Sequence, residues 1–294
     1  MRTYTRFRMI RILGTLFAGL MGLAFGSFLN VCVSRWPAGE SVVRPGSHCR
    51  SCGRTLAWWE NLPLLSWLAL RGRCRTCAAR IGARYALVEA TVGALWAWIA
   101  WRALWATTLP MPVSFSLGFL LERFALAVLC WLLVALAVLD AENLWLPDFL
   151  TWPGIAAGLL MRVAMAAATN GGRPGWALLT RAGEALAAAA IILLIRWSYS
   201  LVKKREGIGL GDAKLMALLA AWLGLPGTLL AFVVGVVLGA AVAMGLLAAQ
   251  KARRGAGAWA LVKLPLGTFL CVGGIVSALW GRPVIAAYLR WVGL

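Results

Sequence analysis

The chain breaks again and again into runs of about 20 apolar residues, the length an α-helix needs to cross the hydrocarbon core of a bilayer. Such runs are read at 12–33, 85–106, 117–139, 149–168, 182–202, 211–224, 227–249 and 263–280. The 211–224 run is short and is ended by Gly224 and Pro226; the last apolar stretch, 283–294, is too short to cross. In lipid a lone segment must satisfy its own backbone hydrogen bonds, so runs of this kind are helices. The expected fold class is therefore an all-α integral membrane protein of about eight transmembrane helices. Composition agrees: 62% of the 294 residues are hydrophobic and only 13% are charged, whereas a soluble domain has about 25% charged residues.

The net charge is +19. In a soluble protein that would suggest nucleic acid. Here the basic residues sit mostly in loops between apolar runs, with no interleaved aromatics for base stacking. Nucleic acid is excluded as a partner, and the charge is read as positive-inside topology with attraction to anionic membrane lipids. Residues 34–84 hold nine arginines; Lys203, Lys204 and Arg205 mark a second basic loop, and Lys251, Arg253, Arg254 and Lys263 a third. The intervening loops 107–116 and 169–181 carry zero and two basic residues. With eight spans the three basic loops share one side, the cytoplasm, and the amino terminus lies outside despite Arg2, Arg6, Arg8 and Arg11. The run 12–33 exceeds a usual signal h-region and no Ala-x-Ala-like site follows it, so it is read as a retained first span.

Three parts follow: a first span (1–34), a cytoplasmic segment (35–84) and a transmembrane bundle (85–294). The middle part is rich in Gly, Pro, Cys and Arg and is too small for a strong core, so it needs a staple. Cys49-Arg-Ser-Cys52 and Cys74-Arg-Thr-Cys77, 21 residues apart, supply one. Two such turns place four thiolates around one ion, the pattern of a closed structural zinc site with no open position for catalysis. The alternative, two disulfides, needs an oxidising compartment. Gly53 after the first pair suits the turn. His48, the sole histidine, is read as an ordinary loop residue. Cys32, Cys130 and Cys271 lie in apolar runs and are read as buried small residues.

Two acids carry the expected chemistry. Asp140 ends the run Leu126–Leu139, and Asp212 lies between the turn Gly207-Ile-Gly-Leu-Gly211 and the apolar Leu215–Leu223. Ionisable groups at such depth are costly and are functional candidates. Two carboxyls about 3 Å apart cannot both ionise; one keeps a proton while the other activates water. That arrangement cuts peptides without histidine or metal. Glycines before Asp212 would let a peptide backbone lie beside the acid. The same glycines resemble a phosphate loop, but no Gly-Lys-Ser/Thr and no βαβ unit accompany them. Asp148, after Pro147, is read as an acidic helix cap, and Glu122 and Glu184 as ion-pair partners of Arg123 and Arg181.

Taken in order, several segments resemble the type IV prepilin peptidases, GxGD-type intramembrane aspartyl proteases. They are Gly26-Ser-Phe-Leu-Asn-Val31 with Arg35-Trp-Pro37, the two CxxC pairs bracketing Trp59-Glu-Asn-Leu-Pro63, Ile81-Gly-Ala-Arg-Tyr85 with Leu87-Val-Glu89, Leu139-Asp-Ala-Glu with Leu146-Pro-Asp148, Gly207-Ile-Gly-Leu-Gly-Asp-Ala-Lys214, and Leu264-Pro-Leu-Gly267. The resemblance implies that Asp140 and Asp212 are the catalytic pair and that Cys49, Cys52, Cys74 and Cys77 bind structural zinc. Glu142, Asp148, Gly209, Gly211 and Lys214 lie in the matching segments as candidates for supporting roles. It further implies an inner-membrane hydrolase that removes the basic leader of prepilins or pseudopilins of type IV pili or type II secretion. Many members also N-methylate the new terminus with S-adenosylmethionine. The chain departs from the usual pattern at Glu142-Asn-Leu144, where Asp-His-Gln is frequent, at Tyr85-Ala86 in place of Tyr-Pro, and in a short Pro37–Cys49 segment. Two other classes compete: a transporter using the acids as a proton relay, which predicts mid-span acids and an internal repeat, and an assembly factor whose metal loop recruits partners, for which the aspartates are dispensable.

Overall fold

The computed structural model describes residues 2–105, 117–169, 171–203, 209–254 and 264–293. The loop 107–116, Lys204, Arg205, Gly207 and Lys263 lie outside the described residues, as do the side chains of Arg2, Arg6, Lys251, Arg253 and Arg254. The described elements are helical: α1 (Arg2–Arg35), α2 (Leu65–Ala69), α3 (Ala83–Trp105), α4 (Leu117–Asn143), α5 (Asp148–Ala167), α6 (Pro174–Lys203), α7 (Leu210–Arg254) and α8 (Leu266–Val292). Among the described residues, six helices are long and apolar enough to cross a membrane: α1, α4, α5, α6, α7 and α8. The remaining long helix, α3, carries Arg84, Glu89 and Arg102. Leucines and valines stand exposed along α1, α6 and α7. In water such surface would be a liability; against lipid it is the expected outer face. The protein is an all-α integral membrane protein, as the apolar periodicity requires.

The segments read at 211–224 and 227–249 both fall in α7. Its helical geometry is broken at Gly224 (φ 78°, ψ 170°), with Pro226 just beyond. Proline removes a helical donor and glycine tolerates the left-handed backbone, so the break sits where the sequence punctuates the run.

The chain folds as two compact units, Met1–Ala135 and Leu136–Leu294. In the first, α1 packs on α3 with almost no side-chain spacer. A Cβ on Gly22 would lie 2.8 Å from the Val92 carbonyl oxygen, and one on Gly26 would lie 2.8 Å from the Glu89 Cα. Small residues are what let two helix backbones approach this closely in a membrane, where van der Waals packing drives association. Between α1 and α3 the cysteine segment is held by specific polar contacts. Arg35 is buried and donates to the carbonyls of Ser41 (2.8 Å) and Gly46 (3.2 Å). Glu60 accepts from Arg54 (2.7 Å) and from the Ala57 amide (2.8 Å). The Arg54 guanidinium, then the Ala57 amide, hold the Glu60 carboxyl below its ordinary value. Glu89 reaches out of α3 to accept the Leu64 amide at 2.8 Å. That bond anchors Leu64 at a positive φ of 58° just before α2. Both acids therefore serve the architecture of this segment.

The second unit is built on α7. Trp222 of α7 donates its indole N–H to the Gly154 carbonyl of α5 at 2.8 Å, and its ring fills the space where a Gly158 side chain would stand. Ser277 of α8 donates to the Gly227 carbonyl at 2.7 Å. Cys32, Cys130 and Cys271 are all buried. Arg123–Glu122 and Arg181–Glu184 form ion pairs at 3.1 and 3.0 Å, as the sequence suggested.

Candidate active site and metal centre

The two CxxC turns are near-copies of each other. Cys49 receives the Gly53 amide on its carbonyl (2.9 Å) and donates its own amide to the Arg54 carbonyl (2.8 Å); Cys74 pairs in the same way with Ala78 (3.0 Å) and Ala79 (2.9 Å). A bridge flanks each turn, His48 with Thr55 and Arg73 with Arg80. His48 points Nδ1 at the Gly46 carbonyl, 3.0 Å away, and stays outside the sulfur cluster. The four Sγ atoms lie within 4.8 Å of one another, a spacing that suits one metal ion. Backbone amides within each turn point at the sulfurs. Those of Cys52 and Ser51 lower the Cys49 thiol, and those of Cys77 and Thr76 bring Cys74 down to about 6. Against the Ala79 amide, which lowers it, burial and the neighbouring thiols push Cys77 up to about 11. Cys49 and Cys74 are therefore the sulfurs these turns favour as thiolates, the form that ligates a soft cation.

The copies differ at one point. The residue after each pair adopts a left-handed backbone: Gly53 with φ 71° and Ala78 with φ 55°. For an L-residue that conformation costs about 1–2 kcal/mol, which glycine does not incur. Ala78→Gly is therefore expected to stabilise the segment by about 1 kcal/mol after glycine's greater unfolded-state entropy is deducted. A slower loss of bound metal to chelator would register it, and a faster loss would contradict it.

In the second unit, Asp140 and Asp212 line one cavity of about 680 Å³, together with Leu146, Trp145, Asp148, Phe149, Gly209, Gly211 and Lys214. Both acids are buried, at 6% and 8% exposure. Asp140 lies in the last turn of α4. Asp212 sits in the first turn of α7. Its backbone amide donates to the Gly209 carbonyl at 3.3 Å, and its Oδ2 accepts the Gly209 amide at 3.2 Å. This is one half of a capping box, with the acid also facing the positive end of its own helix. Asp140 uses the N-terminus of another helix. Its Oδ2 accepts the Thr268 amide at 2.6 Å and lies 3.0 Å from the Thr268 hydroxyl, in the first turn of α8. Each carboxyl thus rests at a helix N-terminus.

Two glycines make the arrangement possible. A Cβ on Gly267 would lie 2.9 Å from Asp140 Oδ2, and one on Gly211 would lie 3.2 Å from the Leu146 side chain. Leu146 also stands 3.0 Å from that position on Gly267, so one leucine packs beside both glycines. Asp148 differs from the sequence expectation of a capping acid. The α5 N-cap is Pro147, and no side chain caps it. Asp148 lies one residue inside, and its carboxylate accepts a hydrogen bond from Lys214 Nζ at the cavity. Glu142 is exposed and lies outside this lining. Thr268 and Leu146 were not singled out from the sequence as site residues. The visible signals were the Leu146-Pro-Asp148 and Leu264-Pro-Leu-Gly267 segments, which carry the family resemblance without saying that Leu146 and Thr268 line up with the acids.

Comparison with known proteins places the chain. Residues 20–103 match the family described as Bacterial Peptidase A24 N-terminal domain, and residues 127–244 match the Type IV leader peptidase family. Among curated relatives, the prepilin leader peptidase/N-methyltransferase of Stutzerimonas stutzeri is 34% identical, covering 94% of this chain and 93% of that protein. The proteins of that name from Pseudomonas aeruginosa and Aeromonas hydrophila are 33% and 32% identical, covering 93% and 92% of this chain and the same shares of their own. No solved structure matches the chain. With relatives this similar along nearly the whole sequence, the chain belongs to the type IV leader peptidase family.

Proposed function

We propose that this chain is an aspartyl endopeptidase that removes the leader of type IV prepilins or pseudopilins at the cytoplasmic face of a bacterial inner membrane. The observation that carries the reading is the pair of buried acids lining one cavity in a unit otherwise made of apolar helices. One proton is shared between Asp140 and Asp212, because two carboxylates facing one poorly solvated cavity repel. The ionised carboxyl takes a proton from water as its oxygen attacks the scissile carbonyl, and the protonated one donates to the carbonyl oxygen. When the tetrahedral species collapses, a carboxyl returns a proton to the leaving amine. Asp148 and Lys214, paired at the same cavity, offer charge to the polar flank of the substrate. Acids on neighbouring helix ends, at one cavity, favour hydrolysis over a relay of mid-span carboxyls.

The four-thiol cluster fits zinc: the donor set is all sulfur, the atoms are close, and no carboxylate or imidazole belongs to it. Cys49, Cys52, Cys74 and Cys77 would hold the ion as a structural staple.

Methylation by S-adenosylmethionine belongs to the same reading. The first unit has its own cavity of about 620 Å³, lined by Asn30, Arg35, Glu40, Trp67 and Tyr85 among others. Asn30 is buried there, with Nδ2 donating to the Tyr85 carbonyl at 2.9 Å and Oδ1 without a hydrogen-bond partner. A buried acceptor left open is costly unless a ligand or water fills it. A zwitterionic sulfonium molecule would find an open acceptor at Asn30 Oδ1, an acid at Glu40 and aromatic rings at Trp67 and Tyr85 in this lining, to which Cys49 and Cys74 of the sulfur cluster also belong. When bound, that group supplies an electrophilic methyl.

The test is purified protein in lipid with a prepilin, with and without S-adenosylmethionine. A single cut that releases the leader is expected, and with the cofactor a product 14 Da heavier, the mass of one methylene. An intact precursor would refute the peptidase reading. A cut product that never gains mass would refute methylation alone.

A further inference from the structure

The Thr268 hydroxyl lies between two acceptors. It is 3.0 Å from Asp140 Oδ2 and 3.1 Å from the Ala137 carbonyl oxygen, one turn earlier in α4. A hydroxyl has one proton to donate and lone pairs to accept with. It can therefore serve one of these oxygens at a time, while the Thr268 amide stays on Oδ2 at 2.6 Å throughout. We propose that Thr268 is a positioning residue whose hydroxyl turns with the protonation state of Asp140. The inference rests on the reading of Asp140 as a proton-exchanging acid.

In the carboxylate state the hydroxyl donates to Oδ2. In the acid state the proton sits on Oδ2 and is donated to Thr268 Oγ1, and the hydroxyl turns its own proton to the Ala137 carbonyl. No proton leaves the threonine in either state, and the count of hydrogen bonds at Oδ2 is unchanged. Asp140 must pass through both states in one turnover, whether it starts as the base that takes the proton of water or as the acid that gives one to the carbonyl. In a buried site, a carboxyl that gained a bond in one state and lost it in the other would be held in the favoured one. A rotor that satisfies both states keeps the acid in place through the cycle. Asp212 has no such partner among the described residues: its Oδ2 accepts a fixed backbone amide, which serves only the charge. Gly267 permits the approach, since any side chain there would meet Asp140 Oδ2 at 2.9 Å.

Two substitutions separate the hydroxyl from the shape around it. Thr268→Val keeps the branched outline and the amide but removes the hydroxyl; Thr268→Ser keeps the hydroxyl and removes the methyl. With full-length protein in lipid and a prepilin, Thr268→Val is expected to lower kcat about tenfold with KM unchanged, and Thr268→Ser to stay within about threefold of the original. Thr268→Ala, which also lacks the hydroxyl, is the substitute where the valine chain does not fold, and the same kcat loss is expected. Wild-type kcat in the hydroxyl-less variant, or an equal loss in the serine variant, would overturn the proposal. Asp140→Asn measured alongside separates the two levels. If it is inactive while Thr268→Val is fully active, only the rotor fails; if it is active, the acid reading fails first.

Discussion

Asp140→Asn and Asp212→Asn are each expected to lower the cleavage rate by about 10²–10⁴-fold, the range for losing a positioned acid or base. Asparagine keeps the shape, and its amide oxygen still accepts the donors each site provides: the Thr268 amide at Asp140 and the Gly209 amide at Asp212. What it cannot do is take up or release a proton. Loss of rate with an unchanged melting profile would therefore locate the defect in chemistry and not in folding. The double variant is expected to be no slower than either single one, because a shared proton is lost with the first change and groups that act as a unit are not additive. A single variant retaining a tenth of the original rate, or a double variant far slower than both, would break the pairing. The assembly-factor reading predicts full function from both singles.

Cys49→Ser or Cys74→Ser is expected to remove the bound metal and loosen residues 35–84 as a block. Structural zinc contributes about 10–16 kcal/mol to small metal-folded domains, and beside it this segment has the polar contacts of Arg35, Glu60 and Glu89 and little regular structure. Its short helix α2 spans five residues. Metal analysis is expected to find about one equivalent of zinc in the original protein and none in the variants, with new protease cuts confined to the loop. Cys32 and Cys130, buried within α1 and α4, serve as controls whose replacement leaves the metal in place. Unchanged zinc in the Cys49 variant, or disulfides within the pairs, would remove the metal assignment.

Much of this architecture was legible in the sequence, for physical reasons. A span announces itself because lipid tolerates little else for 20 residues. Four cysteines in two equally spaced pairs announce a metal because ligand spacing is local. The boundary at Gly224 was visible for the same reason, since a glycine and a proline two residues later break helix geometry on the spot. What could not be read was who touches whom across long separations. Thr268 follows Asp140 by 128 residues, and nothing in a Pro-Leu-Gly-Thr helix start says whose carboxylate its amide will meet. Glu89 stands in the Leu87-Val-Glu89 segment, where nothing says that its partner is an amide 25 residues earlier. Asp148 looked like a helix cap, since acids after a turn so often are, and proved to pair with Lys214, which only the folded bundle brings near. Ala78 showed no sign of strain, because side-chain identity does not reveal φ.

The break in α7 has a consequence for the lipid. From Leu210 to Leu223, fourteen residues precede Gly224, about 21 Å of helix at 1.5 Å per residue. A typical hydrocarbon core is about 30 Å thick. By itself a stub this short leaves part of the hydrocarbon unmatched, a mismatch that local thinning, flanking residues or packing against neighbouring helices would relieve. Asp212 rides at the start of that stub. Hydrolysis consumes one water per bond broken, and an acid in a helix's first turn draws that reactant from the nearby interface rather than from the middle of the hydrocarbon.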